Sequence, residues 1–253
     1  MNDAAGKRFW EIDVLRSIAI ILMVTYHVFY DLDFFGAYHI DKSSGFWWLF
    51  PRAIATTFIS LVGISLAISY SRERARKPES SLFPKYLKRG LVVLSFGMGV
   101  TAATWIFLGD YFVKFGILHL IGVSIILAYP FLGKRLPAII AGASIILLGL
   151  LLKSADVSVP WLLWLWPMPK AFPSVDYFPV LPWLGAALIG VFIGGVLYSG
   201  NSRIFRLPDL SGRLLIRALQ FLGRRSLAIY LVHQPAILAV LYIINVANVR
   251  DFL

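Results

Sequence analysis

Of 253 residues, 59% are apolar and 15% charged, against roughly 45 to 50% and about 25% in an ordinary soluble domain. Too few polar groups remain to coat a soluble globule, so the composition excludes a water-soluble fold and requires a lipid-facing surface. The absence of cysteine excludes disulfides, thiolate metal sites and thiol nucleophiles, and the formal charge of +11 is gathered between apolar runs, which speaks for membrane orientation and against nucleic acid as a partner.

Lys7 and Arg8 precede the first apolar run. Glu11, Asp13 and Arg16 interrupt its start and no small-residue cleavage site follows, so it reads as a retained span and not a secretory signal. A crossing takes about 20 mainly apolar residues. Seven runs fit: Val14 to Asp31, Trp48 to Ser69, Leu91 to Leu108, Phe112 to Leu132, Pro137 to Leu152, Phe178 to Tyr198 and Leu227 to Val246. The expected fold is therefore all-α, a polytopic membrane bundle of about seven helices forming one domain over residues 1–253.

With a cytoplasmic N-terminus, the inner segments hold Lys7 and Arg8, then Arg72 to Arg89, then Lys134 and Arg135, then Arg203 to Arg225. The outer loops hold only Lys42, Lys153, Lys170 and Arg250. That bias obeys the positive-inside rule at every loop, which places the C-terminus outside in a multi-pass protein of the plasma membrane. Trp161, Trp164 and Trp166, broken by Pro167, Pro169 and Pro173, cannot continue as a helix and are expected at the outer interface as an aromatic belt. Arg203 to Arg225, interleaved with leucines, reads as an amphipathic stretch on the inner leaflet.

Ionisable groups inside a span cost about 2.5 to 3.5 kcal/mol each on insertion scales, so each calls for a reason. They are Asp13, Arg16, His27 and Asp31 in the first span, Arg52 in the second, Lys114 and His119 in the fourth and His233 in the seventh. At about 100° per residue, Asp13, Arg16, His27 and Asp31 share roughly a third of the helix circumference. The plainer account is an Asp13 to Arg16 pair near the inner headgroups and a solvated Asp31 at the outer end. His27, His119 and His39 of the first outer loop are expected at one extracytoplasmic depth, with His233 about two turns in from the cytoplasm. A neutral imidazole can take a proton from a hydroxyl or amine attacking a carbonyl and return it to a leaving group. Metal binding is the competing use, but no HxxxH-type pair or acidic partner at ligand spacing supports it.

Several stretches carry a family resemblance. Phe9 to Val24 followed by His27, Phe58 to Ser65, Gly116-Ile117-Leu118-His119-Leu120-Ile121-Gly122, Pro182-Trp183-Leu184-Gly185 and Ser226 to Pro235 together resemble the heparan-alpha-glucosaminide N-acetyltransferase-like transmembrane acyltransferases. The similarity covers most of the chain. It implies acetyl transfer from cytosolic acetyl-CoA to an amino sugar or glycan hydroxyl on the far side of the membrane. By position, His39 falls near the family's catalytic His in the first luminal loop, and His27 falls where the family has an Asn, at the same spacing from the Arg. Either imidazole is thus the implied base, or carries the acetyl group itself.

Supporting roles are expected for Asp13, Arg16, Asp31, His119 and His233, and contacts to the polyanionic donor for Arg72, Arg89 and Arg225. No metal is expected. Expected partners are acetyl-CoA, the sugar acceptor and membrane lipid, with a homodimer left open. The alternatives are a transporter of a small or anionic solute with a proton-linked histidine path, for which no inverted repeat is visible, and a structural subunit in which the histidines need no role.

Overall fold

The computed structural model describes residues 8–152, 162–165, 173–199 and 202–246. Most of the expected aromatic belt lies outside them, as do Lys7, Lys153, Lys170 and Arg250 of the charge pattern. The helices run in the order α1 (Trp10–Phe34), α2 (Gly45–Arg76), α3 (Phe83–Leu108), α4 (Ile117–Leu127), α5 (Arg135–Leu151), α6 (Val180–Leu197), α7 (Leu214–Arg224) and α8 (Ser226–Ile243). A two-residue antiparallel ladder, β1 (Tyr198–Ser199) with β2 (Ser202–Arg203), follows α6. The fold is all-α otherwise. Five helices, α1, α2, α3, α6 and α8, are long and apolar enough to cross a membrane, while α4 and α5 are apolar but shorter.

Two expected boundaries shift. The basic stretch from Arg72 to Arg89 is not a loop, because α2 continues to Arg76 and α3 already begins at Phe83. Arg, Lys and Glu are good helix formers and Pro84 falls in the first turn of α3, where its fixed φ suits a helix start. The connection shrinks to residues 77–82, and Lys85 Nζ pairs with Glu73 Oε1 across it at 2.8 Å.

The fourth expected span, Phe112 to Leu132, is α-helical only over Ile117–Leu127, about 17 Å at 1.5 Å per residue. Side chains claim the backbone before it. Thr101 Oγ1 donates to Val113 O at 2.6 Å, Val113 N donates to Thr104 Oγ1 at 3.0 Å and Ser174 Oγ donates to Phe112 O at 3.0 Å. Phe115 forms a parallel bridge with Tyr177, and the Asp176 carboxylate receives the Ile117 N–H at 3.1 Å, stabilising the positive end of α4. Lys114, the cation expected inside this span, donates from Nζ to Asp110 O and Pro173 O at 2.9 and 2.6 Å. Non-helical backbone survives at membrane depth where protein groups satisfy it.

The described chain divides into two compact units, one built on residues 59–206 and the other on 8–58 with 207–253. In the first, α3 packs on α4 and α5 on α6. Glycines set both approaches: a Cβ on Gly90 would meet Gly122 O at 2.7 Å, and one on Gly185 would meet Gly142 O at 2.6 Å. Small residues give membrane helices close contact where no hydrophobic effect draws them together. Leu118, Leu120, Ile121 and Ile125 bury α4 on several sides, whereas Phe96, Trp105, Ile106 and Phe107 of α3 remain exposed, as lipid-facing side chains do. In the second unit α1 packs against α7 and α8.

Candidate functional site

In the second unit α1 presents a seam spaced alternately by four and three residues: Asp13, Ser17, Ile20, Val24, His27 and Asp31. Their mean spacing matches the repeat of about 3.6 residues per turn, so the stripe keeps to one side of the helix over its whole length. Asp13, Ser17, Ile20 and Asp31 are buried, while Leu15, Ile18, Ile21 and Leu22 face outward. Near the start of the seam Ser17 Oγ donates to Leu219 O of α7. Arg16 Nη1 reaches Asp13 Oδ1 at 3.4 Å, and Arg224 Nε lies 3.9 Å from Asp13 Oδ2. Gly223 sits against the Asp13 carbonyl so closely that a Cβ would overlap it.

From there α8 runs parallel to α1. Ile20 and Met23 cluster with Ile229 and Tyr230, and further along Val24, Val28, Leu32 and Phe35 pack around Ile237 and Leu241. His233 lies seven residues, about two turns, into α8, and the packing of α8 along α1 brings its ring level with that of His27. α7 lies beside the first turns of α1, so α8 meets α1 from about Ile20 onward.

The two imidazoles meet edge to face, with ring centroids 4.8 Å apart and planes at 79°. His27 Nδ1 lies 2.9 Å from Met23 O and His233 Nδ1 lies 2.6 Å from Tyr230 O. A carbonyl oxygen only accepts, so each Nδ1 carries the proton and each Nε2 is left with its lone pair. Tyr26 stands edge-on to His27 at 5.6 Å and Tyr230 lies 5.4 Å from His233, walling the pair. Asp31, one turn beyond His27, is 3% exposed and not solvated as the plainer account expects. Both its oxygens accept from Gln234 Nε2 at 2.9 Å. Among the described residues, His233 Nε2 and Gln234 Oε1 are buried without a hydrogen-bond partner. Pro235 follows at once and brings no N–H for the Leu231 carbonyl.

Chemically, this is an acceptor-rich cluster: two imidazole lone pairs, a carboxylate and an amide oxygen, with few donors among them. Such a set holds groups that bring N–H or O–H bonds and can take a proton from them. Buried acceptors left unpaired cost about 1 to 3 kcal/mol each, a cost that a donor-bearing ligand would relieve.

His39 stands elsewhere, 94% exposed in the loop after α1, with Nδ1 3.3 Å from Asp33 Oδ1 and Lys42 beside the same carboxylate. In that loop the hydroxyls of Ser43 and Ser44 and the Ser43 N–H hold the Asp41 carboxyl down to about 2. His119, in the first unit, is committed on both sides. Its Nδ1 receives the Gly116 N–H at 3.2 Å, so its proton sits on Nε2, which lies 3.3 Å from Thr101 Oγ1, itself donating to Val113. Arg72 is half-buried on α2, Arg89 exposed on α3, and Arg225 exposed with its guanidinium 3.7 Å from the centroid of Phe221. No group of three or more metal-ligating side chains occurs among the described residues.

Gln234, Ser17 and Gly223 escaped the sequence reading as site residues. Gln234 and Gly223 could be found only by setting α7 and α8 level with α1, since nothing in their own spacing marks them. A family model described as heparan-alpha-glucosaminide N-acetyltransferase, catalytic, matches residues 8–235. No curated protein and no solved structure matches the chain.

Proposed function

We propose, from the premise that this chain belongs to the heparan-alpha-glucosaminide N-acetyltransferase catalytic family, that it moves an acetyl group from cytosolic acetyl-CoA to an amino sugar or a glycan hydroxyl outside the plasma membrane. The family makes it a membrane acetyltransferase. The observation that carries the finer reading is the His27 and His233 pair, two imidazoles fixed through Nδ1, with His233 Nε2 buried and without a hydrogen-bond partner among the described residues. His27 Nε2 takes the proton of the acceptor nitrogen or oxygen as that atom attacks the thioester carbonyl carbon, and returns it to the sulfur as the C–S bond breaks. His233 lies in ring contact with His27 and stabilises the positive charge that His27 gains, while Asp31 orients Gln234 and adds negative charge one turn away. Asp13 and Arg16 anchor α1.

Burial favours His27 over His39 as the base, because water around an exposed ring competes for the same lone pair. The basic segments that hold Arg72, Arg89 and Arg225 draw in the polyanionic donor by their charge, and both units take part in one acyltransferase. The reading keeps seven crossings with the N-terminal end cytoplasmic, supported by the positive-inside bias. The extended residues 112–116 add about 16 Å to the short α4 at roughly 3.3 Å each.

The test is acetyl transfer from labelled acetyl-CoA to glucosamine and to a hydroxyl-only sugar, with protein in lipid nanodiscs. His27→Ala is expected to lower turnover about 10²- to 10⁴-fold, and His39→Ala to leave it nearly unchanged. Equal activity of wild type and His27→Ala would sink the assignment, and absence of acetyl-CoA binding would return the solute-transport reading.

A further inference from the structure

The 59–206 unit holds a polar recess, far in sequence from the histidine pair. A cavity of about 250 Å³ is lined by Tyr70, Ser71 and Arg74 at the end of α2, Lys134 and Arg135 at the start of α5, and Gly195 and Tyr198 at the end of α6. Three cations border it, and no Asp or Glu is among its lining residues. The positive-inside rule accounts for basic residues near these helix ends. It does not account for their convergence on a cavity that carries no counter-charge.

The three cations are held differently. Arg74 is fixed, donating from Nη1 to Pro78 O and Ser80 O at 2.8 and 3.2 Å and from Nη2 to Tyr70 OH at 3.1 Å. Its charge is therefore preorganised without a carboxylate to neutralise it. Lys134 and Arg135 enter no ion pair among the described residues and are exposed, free to close on a ligand. Tyr70, Ser71 and Tyr198 also line the recess. The first turn of α5 has no acidic residue and no side-chain cap, so the positive end of its dipole adds to the same field.

We infer that this cavity binds a phosphate group. Several donors of positive charge around one small polar recess match a dianionic tetrahedral oxyanion, with Arg135 able to bind two oxygens at once and Lys134 acting as a point charge. The volume is below the ~300 to 1,000 Å³ of pockets that enclose a drug-sized ligand, so the recess takes a phosphate-bearing end and not a whole nucleotide thioester. Two sources supply that chemistry: the 3′-phosphate or diphosphate of the acyl donor, an assignment that rests on the acetyltransferase reading, and the headgroup of an anionic phospholipid. The residues carrying the site are then Arg74, Lys134 and Arg135, not those the sequence pattern singled out for the donor.

The test uses the full chain in nanodiscs and the double variant Lys134→Ala/Arg135→Ala, whose exposed side chains can be removed without opening a core. Binding of acetyl-CoA and of adenosine 3′,5′-bisphosphate is measured by calorimetry, retention of phosphatidylglycerol by native mass spectrometry, and transfer to glucosamine with both acetyl-CoA and S-acetylpantetheine, which lacks the nucleotide. A weakening of acetyl-CoA and bisphosphate binding by tenfold or more, with transfer from S-acetylpantetheine intact, supports the site with the donor as source. Loss of phosphatidylglycerol adducts with unchanged nucleotide binding supports it with lipid as source. No change in either arm overturns the proposal. Failure of wild type to transfer acetyl from either thioester defeats the enzymatic reading alone, since the lipid arm still decides whether phosphate binds. Lys134→Arg with Arg135→Lys should restore most of the binding, which loss through misfolding would not allow.

Discussion

His119 in one unit and the His27 and His233 pair in the other are the same residue type in the same kind of environment, yet their hydrogen bonds differ. At His119 one ring nitrogen accepts the Gly116 N–H and the other lies against Thr101, so the imidazole acts as a bracket between α3 and the start of α4. At His27 and His233 only Nδ1 is bonded within its own helix, which fixes the ring plane and leaves the second nitrogen for chemistry. A buried histidine becomes a reagent when its neighbours orient it without using it up.

The sharpest way to break this contrast is to remove one ring from each region. His233→Ala should lower turnover by about 10²- to 10⁴-fold, measured as acetyl transfer in nanodiscs at saturating donor and acceptor, with little change in melting temperature. His119→Ala should do the reverse. It leaves the Gly116 N–H unpaired, costing about 1 to 3 kcal/mol of stability, while turnover per folded molecule stays within about threefold. A thermal melt paired with active-site titration separates the two outcomes, and a large turnover loss in His119→Ala would erase the distinction.

Gly223→Ala sharpens the pair further. A Cβ there collides with the Asp13 carbonyl, and relieving that overlap by shifting α7 should cost about 1 to 3 kcal/mol. Because α8 follows directly, the shift should move His233 against His27, so turnover falls together with melting temperature. The smallest effect is expected in the exposed loop. Asp41 has its carboxyl held low by Ser43 and Ser44. A depressed value contributes order above the unfolded value of about 4 and loses it as pH falls towards about 2. Hydrogen exchange at the Ser43 amide, which donates to Asp41 at 2.9 Å, should therefore show constant protection between pH 5 and 8 and a drop only near pH 3.

The order of apolar helices was legible because lipid-facing composition and hydropathy are one-dimensional signals. The polar stripe of α1 was legible for the same reason, since helical periodicity alone places Asp13, His27 and Asp31 on one side. What the chain does not show along its length is level. Whether His233 meets His27 depends on where α7 ends against Ser17 and Asp13, a contact between residues about two hundred positions apart. The bracket at His119 was hidden for a related reason: Thr101 and Gly116 carry no pattern that predicts an extended segment inside an apolar run. The Lys134 and Arg135 recess was hidden because charges that mark orientation look alike in sequence whether they face open water or one another.

Pairing α1 with α8 has a consequence for synthesis. His27 and His233 are separated by 206 positions, and translation adds about 5 to 20 residues per second. The first helix therefore spends roughly 10 to 40 seconds in the bilayer with its buried-to-be carboxylate and imidazole lacking their eventual neighbours. Under the proposed mechanism a nascent chain is catalytically silent throughout that interval, and the activity switches on only when the helix that supplies the second ring has been inserted.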